Sequence, residues 1–397
     1  MASVERREPR RAGSKAVYRV RFRDPAGAQR SRSFARKSDA ERFAAGVETD
    51  KARGSYIDAS LGRMSLAAYA AQWLEMQTSD ESTREAQARR LRVHILPDLG
   101  ATPLAALRAT QVQSWLRSKQ ITLAPSTVRV VFGTLSAVMA SAVDDDRIAK
   151  NPCQAGSVRL PKRELKRIVP WSASQVALLH EALPDRYQAA LIIAAGLGLR
   201  QGEVFGLAVN DIDFLGGVVH VRRQVKIVGS RLVFALPKGH KTRSVPLSSY
   251  VARELAKHLV LFPPTEAALP WDTKSGELVR AKLVLTSREH RPLNRNYVNG
   301  AIWKPALRAS GLPDTRENGM HAARHFFAST LLDGGTNVRA LSEYLGHSDP
   351  GFTLRTYTHL MPASEDRTKR AVDGMFERLE NAVNGSQCVP DVSQQGS

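Results

Sequence analysis

The first 60 residues alternate between apolar and polar side chains with the period of a β-strand. In residues 16–24, Tyr18, Val20 and Phe22 alternate with Val17, Arg19 and Arg21. A Pro-Ala-Gly turn and a return strand at 29–35 follow, and residues 38–54 predict a helix with Ser38 as its N-cap. We therefore expect a small domain of sheet and helix at 1–60, preceded by a disordered Arg-rich N-terminus over residues 1–14.

Apolar residues then recur at intervals of three and four, which is typical of amphipathic helices. Four such segments lie at 65–76, 83–100, 109–120 and 125–146, the first of them beginning at the potential cap Ser65. These segments predict a compact helical domain over residues 61–158.

From Trp171 onward the pattern is mixed. Helical periodicity at 172–183 and 185–209 gives way to three short strand-like segments at 216–228, 231–239 and 241–247, and helical patterns resume at 297 and continue to about 383. The fold class predicted is α+β and mainly helical, with a small antiparallel sheet in a domain over 171–384 and a disordered polar tail at 385–397.

The charge of the chain points to a polyanionic partner. The 397 residues carry a net charge of +20, and residues 1–60 alone hold 15 Lys or Arg against 8 Asp or Glu. The surplus is spread over all segments, which favours several contacting surfaces for nucleic acid over a single basic tail. Residues 159–170 are basic and contain Pro161 and Pro170, a composition typical of an extended linker between domains.

The sequence disfavours a zinc-binding or disulfide-stabilised protein, and it disfavours a membrane protein. Cys153 and Cys388 are far apart and match no zinc spacing, so we expect a reducing intracellular environment and no disulfide framework. The longest apolar run, 189–199, is too short to cross a bilayer, and the charged N-terminus has no apolar signal core, so no membrane partner is expected.

The segment 196–203, GLGLRQGE, does not fit a nucleotide-binding loop, because its third glycine is one place late for G-x-G-x-x-G. It does place Arg200 directly after an apolar helix. An arginine there needs an anion, and either Glu203, three residues later, or a bound phosphate could supply it.

Histidines cluster in the C-terminal part of the chain without the usual signs of a metal site. His321 and His325 are four residues apart and share a helix face with Arg324 near them, but a zinc protease motif would need Glu where Ala322 stands. His347 follows in an L-G-H motif, and Tyr357 lies ten residues beyond it, about two turns into a helix that begins near Pro350. Lys238 and Lys241 lie in LPKGHKTRSVPL, a tight turn that the pattern places in a hairpin.

Taken in order, GLRQGE, the turn lysine, H-x-x-R-H, L-G-H and the tyrosine resemble the tyrosine recombinase (phage integrase) family. Each motif alone is weak, but the ordered set is highly specific. The match is strongest over residues 170–362. The helical domain resembles that family's core-DNA-binding domain, and residues 15–60 resemble the arm-type DNA-binding domain of some integrases. The chain departs from the frequent H-[DE]-L-R-H pattern at Ala322 and Ala323, which affects local packing.

The resemblance implies a six-residue active site that needs no metal, nucleotide or other cofactor. In it, the two arginines bind the phosphate oxygens, His321 takes the phenol proton, Lys238 protonates the leaving 5′ oxygen and His347 holds a phosphate oxygen. The tyrosine attacks to leave a 3′-phosphotyrosine. The six residues are Arg200, Lys238, His321, Arg324, His347 and Tyr357.

The same resemblance implies double-stranded DNA as partner, at core and arm sites, a homotetramer on that DNA, and a bacterial cytoplasmic location. It leaves open a directionality factor, a host DNA-bending protein, and whether the predicted helix 365–383 docks on its own protomer or a neighbour. The alternatives are a type IB topoisomerase, a chromosome-dimer-resolving recombinase and a non-catalytic DNA-binding regulator. A metal nuclease would require carboxylates that the motifs lack.

Overall fold

The computed structural model describes residues 2–7, 17–24, 27–52, 56, 58, 60–163, 167–347, 349–357, 369 and 372–378. The chain divides into two compact units, residues 1–165 and 166–397, a division that falls inside the predicted basic linker. The predicted tail at 385–397 lies outside the described residues.

The first unit opens with a three-stranded antiparallel sheet in the order β1-β2-β3. The strands are β1 (Ser3–Arg7), β2 (Val17–Arg23) and β3 (Gln29–Phe34). Helix α1 (Lys37–Ala52) packs its residues Ala40, Ala44 and Val47 against Val20 and Phe22 of β2. The predicted strand alternation is thus confirmed, and Val20 and Phe22 face inward because one face of the sheet is covered.

Two local expectations about this region are wrong. Residues 3–7 are not disordered, because they pair with β2 in a register that places Ser3 opposite Arg21 and Arg7 opposite Val17. Ser38 does not cap α1, which begins one residue earlier, at Lys37. A lone edge strand rich in charged residues carries little apolar periodicity, so the sequence pattern could not reveal β1.

The helical part of the first unit has its own core. Ser65 caps the first helix by accepting a hydrogen bond from the Ala68 amide at 3.2 Å, as expected, a contact that typically contributes about 1 kcal/mol. The predicted segment 83–100 is one interrupted helix, with a π-helical turn at Leu91–Ile95. The helices are α2 (Leu66–Glu75), α3 (Glu81–Arg90), α4 (Leu96–Leu99), α5 (Ala109–Thr122) and α6 (Pro125–Asp144).

Helix α6 is the central helix of this bundle. By length and composition alone it could cross a membrane, but Val128, Val131, Leu135, Val138 and Met139 lie on one face and pack in the core with the other helices. A core helix of a helical domain explains its apolar character. Short 3₁₀ turns at Leu61–Arg63, Leu104–Ala106 and Pro152–Gln154 complete the unit.

The second unit surrounds small antiparallel sheets with helices, in agreement with the predicted α+β class. Its strands form a three-stranded sheet of order β4-β5-β8 and the hairpins β6-β7 and β9-β10. Their bounds are β4 (Ile212–Asp213), β5 (Val218–Val221), β6 (Gln224–Val228), β7 (Arg231–Ala235), β8 (Arg243–Pro246), β9 (Thr265–Pro270) and β10 (Leu278–Leu283).

This arrangement corrects the expected strand count. The predicted strand at 216–228 is two strands, interrupted at Arg222 and Arg223, and Arg223 turns inward to pair with buried Asp211 at 2.6 Å. The hairpin β9-β10 was not predicted.

The helices of the second unit pack around a single core that includes Leu191, Phe205, Trp303, Phe327 and Tyr357. Short helical turns also occur at Val209–Asp211 and, as a π-helix, at Val298–Trp303. The helices are α7 (Ala173–Ala182), α8 (Asp185–Leu197), α9 (Gln201–Gly206), α10 (Ser249–Leu261), α11 (Arg295–Tyr297), α12 (Lys304–Ala309), α13 (His321–Asp333), α14 (Val338–Leu345) and α15 (Pro350–Tyr357).

Candidate active site

An open cavity of about 610 Å³ in the second unit gathers basic side chains from distant parts of the chain. Five of the six predicted site residues line it, and Tyr357 does not. A surplus of cations around an open cavity favours an anionic ligand. The lining residues are Arg200, Lys238, Gly239, Lys241, Thr242, Arg243, His321, Arg324, Glu343, Gly346, His347 and Phe352.

Arg200 lies at a break between α8 and α9. Gly198 ends α8 with a φ of +64°, and a Cβ atom there would come within 2.4 Å of the Phe327 ring, so only glycine fits. Arg200 then caps α9: its amide donates to Glu203 at 2.9 Å, and its guanidinium donates to Glu203 at 2.9 Å and to the Gly346 carbonyl at 3.1 Å. The side chain stays about one-fifth exposed, which leaves room for a ligand.

Glu203 is held between two arginines. Arg243 from β8 donates to both of its carboxylate oxygens, at 3.1 and 2.6 Å, and also to the Tyr344 carbonyl at 2.7 Å. Burial alone would raise the pKa of Glu203, but the Arg243 hydrogen bonds and the charges of Arg243 and Arg200 lower it to about 2. Glu203 is therefore a fixed anion that orients Arg200. Of the two anions considered for Arg200, the structure contains Glu203. This carboxylate accepts from only some of the N–H donors of Arg200.

Arg324 is fixed by the ends of two helices. It is 1% exposed and donates to the Gly198 carbonyl at 2.7 Å and to the Leu345 carbonyl. Both carbonyls lie at helix C-termini, where the partial negative charge stabilises a cation. Burial and the charge of Arg200 lower the pKa of Arg324 to about 9, which leaves it protonated at neutral pH.

His347 follows Gly346, which ends α14 with a φ of +62°. Its Nε2 lies 3.1 Å from the Arg324 guanidinium, which can only donate, and its Nδ1 lies 2.7 Å from the Thr353 hydroxyl. Nε2 therefore accepts, and the ring is the neutral tautomer with its proton on Nδ1. Burial and the charges of Arg324 and Arg200 lower its pKa to about 3.

His321 and His325 share one face of α13, as their spacing predicts, with ring centroids 4.6 Å apart. Their placements differ. His321 lines the cavity, where partial burial of its ring and the charges of Arg324 and Arg200 lower its pKa to about 4. His325 instead contacts the hydroxyl of Tyr357 through Nδ1 at 2.7 Å. The structure thus places His325, and not His321, beside the predicted nucleophile.

Tyr357 lies on α15, two turns after Pro350, where the sequence places it. Its side chain is 1% exposed. Burial raises its pKa to about 12 although Arg324 and Arg200 lower it. The charges of the two arginines favour the phenolate, but in this arrangement burial outweighs them. Forming the phenolate at pH 7 here costs about 7 kcal/mol.

Lys238 and Lys241 both line the cavity, but not from a hairpin. They lie on the loop 236–242 between β7 and β8, which belong to different sheets, so the hairpin expectation is wrong. The tight turn is present: the His240 amide donates to the Pro237 carbonyl at 2.9 Å, and Gly239 and His240 have φ values of +91° and +57°.

The sequence motifs missed three residues that shape this site: Arg243, His325 as the partner of the tyrosine, and Thr353. The available signal for Arg243 was its alternation with Val245, which puts the two side chains on the buried face of β8. Among the described residues, no group of three or more His, Cys, Asp or Glu side chains lies close enough together to hold a metal ion.

Comparison with known proteins shows the family of this chain. Residues 159–364 match the phage integrase family and residues 66–157 match the phage integrase central domain. A putative prophage phiRv2 integrase from Mycobacterium tuberculosis is 30% identical over 316 residues, which cover 79% of this chain and 78% of that protein.

Two solved structures share the fold. The Tn1549 transposon integrase in complex with a circular intermediate DNA has a TM-score of 0.64 at 22% identity, over 80% of this chain and 99% of that one. A lambda integrase tetramer bound to a Holliday junction has a TM-score of 0.56 at 16% identity, over 83% and 93% of the two chains. The match to the family model extends over more than half of this chain, so it belongs to the phage integrase family and is a site-specific tyrosine recombinase that breaks and rejoins DNA.

Proposed function

We propose that Arg200, Lys238, His321, Arg324, His347 and Tyr357 form the catalytic set of this recombinase. The observation that carries the proposal is the convergence of the first five on one basic cavity, with Tyr357 next to it on α15. A phosphodiester repels nucleophiles because its oxygens are anionic. Two arginines fixed in advance by Glu203 and by helix C-termini neutralise that charge without reorganising during the reaction.

In the proposed step, the Tyr357 oxygen attacks phosphorus, the bond from phosphorus to the 5′ oxygen breaks, and a 3′-phosphotyrosine forms. The phenol proton leaves to a base, for which His321 is the candidate that lines the cavity. The 5′ oxygen receives a proton from Lys238 and departs as a hydroxyl. The ester keeps the energy of the broken bond, so a second 5′-hydroxyl can reverse the step and join a new strand.

His347 must change its hydrogen bonds in this scheme. In the structure its Nε2 accepts from Arg324. A bound phosphate offsets the charges of Arg324 and Arg200, which are two of the causes that lower the pKa of His347. With the phosphate in place, His347 takes up a proton and its Nε2 donates to a phosphate oxygen.

We further propose that residues 1–60 bind arm-type DNA sites through the open face of the sheet. Because Val20 and Phe22 face α1, the alternating residues Arg19, Arg21 and Arg23 lie on the opposite face. Ser31 and Ser33 lie opposite Arg21 and Arg19 on β3. Arginines beside small side chains suit close approach to phosphates. Residues 61–158 then bind the core site, and the basic segment 159–170 follows the DNA backbone between the domains.

We propose that the active assembly is a homotetramer on DNA in the bacterial cytoplasm, which integrates or excises a phage or mobile element, with a directionality factor and a DNA-bending protein as further partners. The described part of the predicted C-terminal helix supports an intermolecular contact. Residues 372–378 are helical, and Val372, Met375 and Phe376 are 44%, 47% and 54% exposed. Apolar side chains left in water favour docking on a second protomer.

The test of the catalytic set is a covalent trap. The full chain is incubated with a nicked duplex that carries its attachment core, in buffer without divalent metal, and the products are separated in denaturing detergent. A DNA-linked protein band is expected from the native chain. Tyr357→Phe should bind the same duplex and give no band, and a band from that variant would refute the assignment of the nucleophile.

A further inference from the structure

The hydroxyl of Tyr357 is engaged inside the protein. Within the described residues it pairs with Nδ1 of His325 at 2.7 Å, and the two rings meet edge to face with centroids 5.7 Å apart. The tyrosine ring belongs to the core of the second unit. A buried hydroxyl without a partner is costly, so this contact contributes to keeping the side chain in place.

The electrostatics of the pair give the direction of the hydrogen bond. Burial and the charges of His321 and Arg324 lower the pKa of His325 to about 4, so its ring is neutral at neutral pH. The pKa of Tyr357 is about 12. The phenol therefore donates and Nδ1 accepts. The pKa of His321 is lowered to about 4 as well, so in this arrangement the phenol keeps its proton with respect to both rings. The hydrogen bond to His325 thus holds a neutral phenol.

The contact also lies outside the lining of the phosphate-binding cavity. His321, His347 and Phe352 line that cavity, whereas neither His325 nor Tyr357 does. Attack requires the phenol oxygen within about 3–3.5 Å of phosphorus. Tyr357 must therefore move toward the cavity to attack, and that movement takes its hydroxyl away from Nδ1 of His325.

We propose that His325 is a positioning residue whose Nδ1 holds the hydroxyl of Tyr357 in a buried, unreactive position until DNA occupies the cavity. The proposal rests on the proposed role of Tyr357 as nucleophile. It assigns different functions to the two histidines of H-x-x-R-H. His321 acts in the phosphate-binding cavity, and His325 restrains the nucleophile Tyr357.

Two substitutions separate this role from packing and from base catalysis. His325→Phe keeps a flat ring and removes the acceptor. His325→Asn loses the ring but can place its Oδ1 where Nδ1 was, and it cannot act as a base. A hydrogen-bond restraint is lost in the Phe variant and rescued in the Asn variant. A packing role predicts the reverse, and a general-base role predicts loss of cleavage in both.

The first readout needs no DNA. The full chain is nitrated with tetranitromethane, digested with trypsin and analysed by mass spectrometry, since the peptide 356–367 contains Tyr357 as its single tyrosine. Tyr297, 51% exposed, and Tyr69, 0% exposed, are internal references for free and protected phenols. We expect about three- to tenfold faster nitration of Tyr357 in His325→Phe, the effect of one lost hydrogen bond, and native protection in His325→Asn. Any other pattern, including equal rates in the two variants, would overturn the proposal.

The second readout is the rate of covalent adduct formation on a nicked single half-site duplex at saturating DNA. His325→Phe should form adduct about three- to tenfold faster than the native chain, with unchanged DNA affinity, and His325→Asn should return the rate to the native value. A slower rate in both variants would assign His325 as the proton acceptor and reject the restraint. Tyr357→Phe, assayed beside them, tests the proposed function separately, because adduct from that variant refutes the nucleophile whatever the nitration pattern shows.

Discussion

Arg243 and Glu203 form a buried ion pair 40 residues apart in sequence, with the two shortest contacts at 2.6 and 3.1 Å and a carboxylate side chain that is fully enclosed. The same carboxylate binds Arg200. The orientation of Arg200, which we propose to bind the phosphate, therefore depends on Arg243. Arg243 is a strand residue outside the six predicted catalytic residues.

Arg243→Met is expected to lower both stability and cleavage. It leaves Glu203 buried with one cation in place of two, and breaking a buried pair from one side typically costs about 3–5 kcal/mol. Arg200 would then turn toward Glu203, and adduct formation should fall more than DNA affinity. The measurements are urea unfolding and single-turnover cleavage.

A matched control for this prediction is Arg280→Met. Arg280 also bridges a glutamate, Glu266 at 2.8 Å, but its side chain is 73% exposed. An exposed pair contributes about 0–1 kcal/mol, so this variant should remain near native stability. Equal losses of stability in the two variants would show that burial does not increase the contribution of the pair between Arg243 and Glu203.

The stability of the DNA-free protein should fall as the pH drops from about 6.5 to about 4. The pKa values of His325 and His347 are about 4 and about 3, below the usual histidine value near 6.5. Between these values the unfolded chain binds more protons than the folded one, so their contribution is complete above pH 6.5 and is lost on acidification. Each histidine adds up to about 1.4 kcal/mol per pH unit in this window.

Urea unfolding at pH 7.5, 6 and 5 measures this slope. The double variant His325→Asn, His347→Asn should have a shallower dependence than the native chain, because its side chains at 325 and 347 do not titrate. Glu203, with a pKa of about 2, loses its contribution only below about pH 4.5 and does not obscure the comparison. An unchanged slope in the double variant would contradict the prediction.

The arginines on the open face of the N-terminal sheet should govern salt-dependent binding to arm DNA. Changing Arg19, Arg21 and Arg23 to Gln removes up to three phosphate contacts, and each contributes roughly 0.9 to the slope of log affinity against log salt.

Deletion of residues 1–60 should leave core-site cleavage intact and abolish intermolecular integration.

The control for the arm-site prediction is Arg42→Gln. Arg42 lies on α1, on the covered side of the same sheet, and its side chain is 81% exposed. Its removal changes the charge of the domain without touching the proposed face. If Arg42→Gln lowered the salt slope as much per charge as the sheet variants, binding would depend on net charge and the face would have no special role.

The contrast between Arg200 and His325 shows what the sequence could and could not predict. Arg200 sits at the junction of an apolar helix and a glycine, and the cap it makes with Glu203 is local, so both the position and one partner were predicted. The partner of Tyr357 lies 32 residues away on another helix, and Arg243 reaches Glu203 across 40 residues. Such pairs depend on how helices and strands pack, which local periodicity does not encode. The same reason explains the misassigned lysine loop, since the pattern shows two strands but not that they join different sheets.

The final prediction concerns which lysine of the loop 236–242 acts as the general acid. Both Lys238 and Lys241 line the cavity, so position alone does not choose between them. Lys238 follows Pro237, which restricts the backbone at the end of the strand, and it precedes the left-handed residues Gly239 and His240. Lys241 lies beyond that turn. We expect Lys238 to be the acid, because the chain before it is the more constrained.

A 5′-bridging phosphorothioate tests this choice. A general acid typically contributes about 10²–10⁴-fold because an alkoxide leaves poorly, whereas a thiolate leaves without a proton. Lys238→Ala should therefore cleave ordinary DNA slowly and recover much of its rate on the sulfur substrate. Lys241→Ala is the matched control. It should lose mainly affinity for DNA, and its cleavage rate should not be rescued by the sulfur substrate, because the charge of Lys241 acts on the phosphate and not on the leaving group. Rescue of Lys241→Ala alone would exchange the roles of the two lysines and leave the recombinase chemistry unchanged.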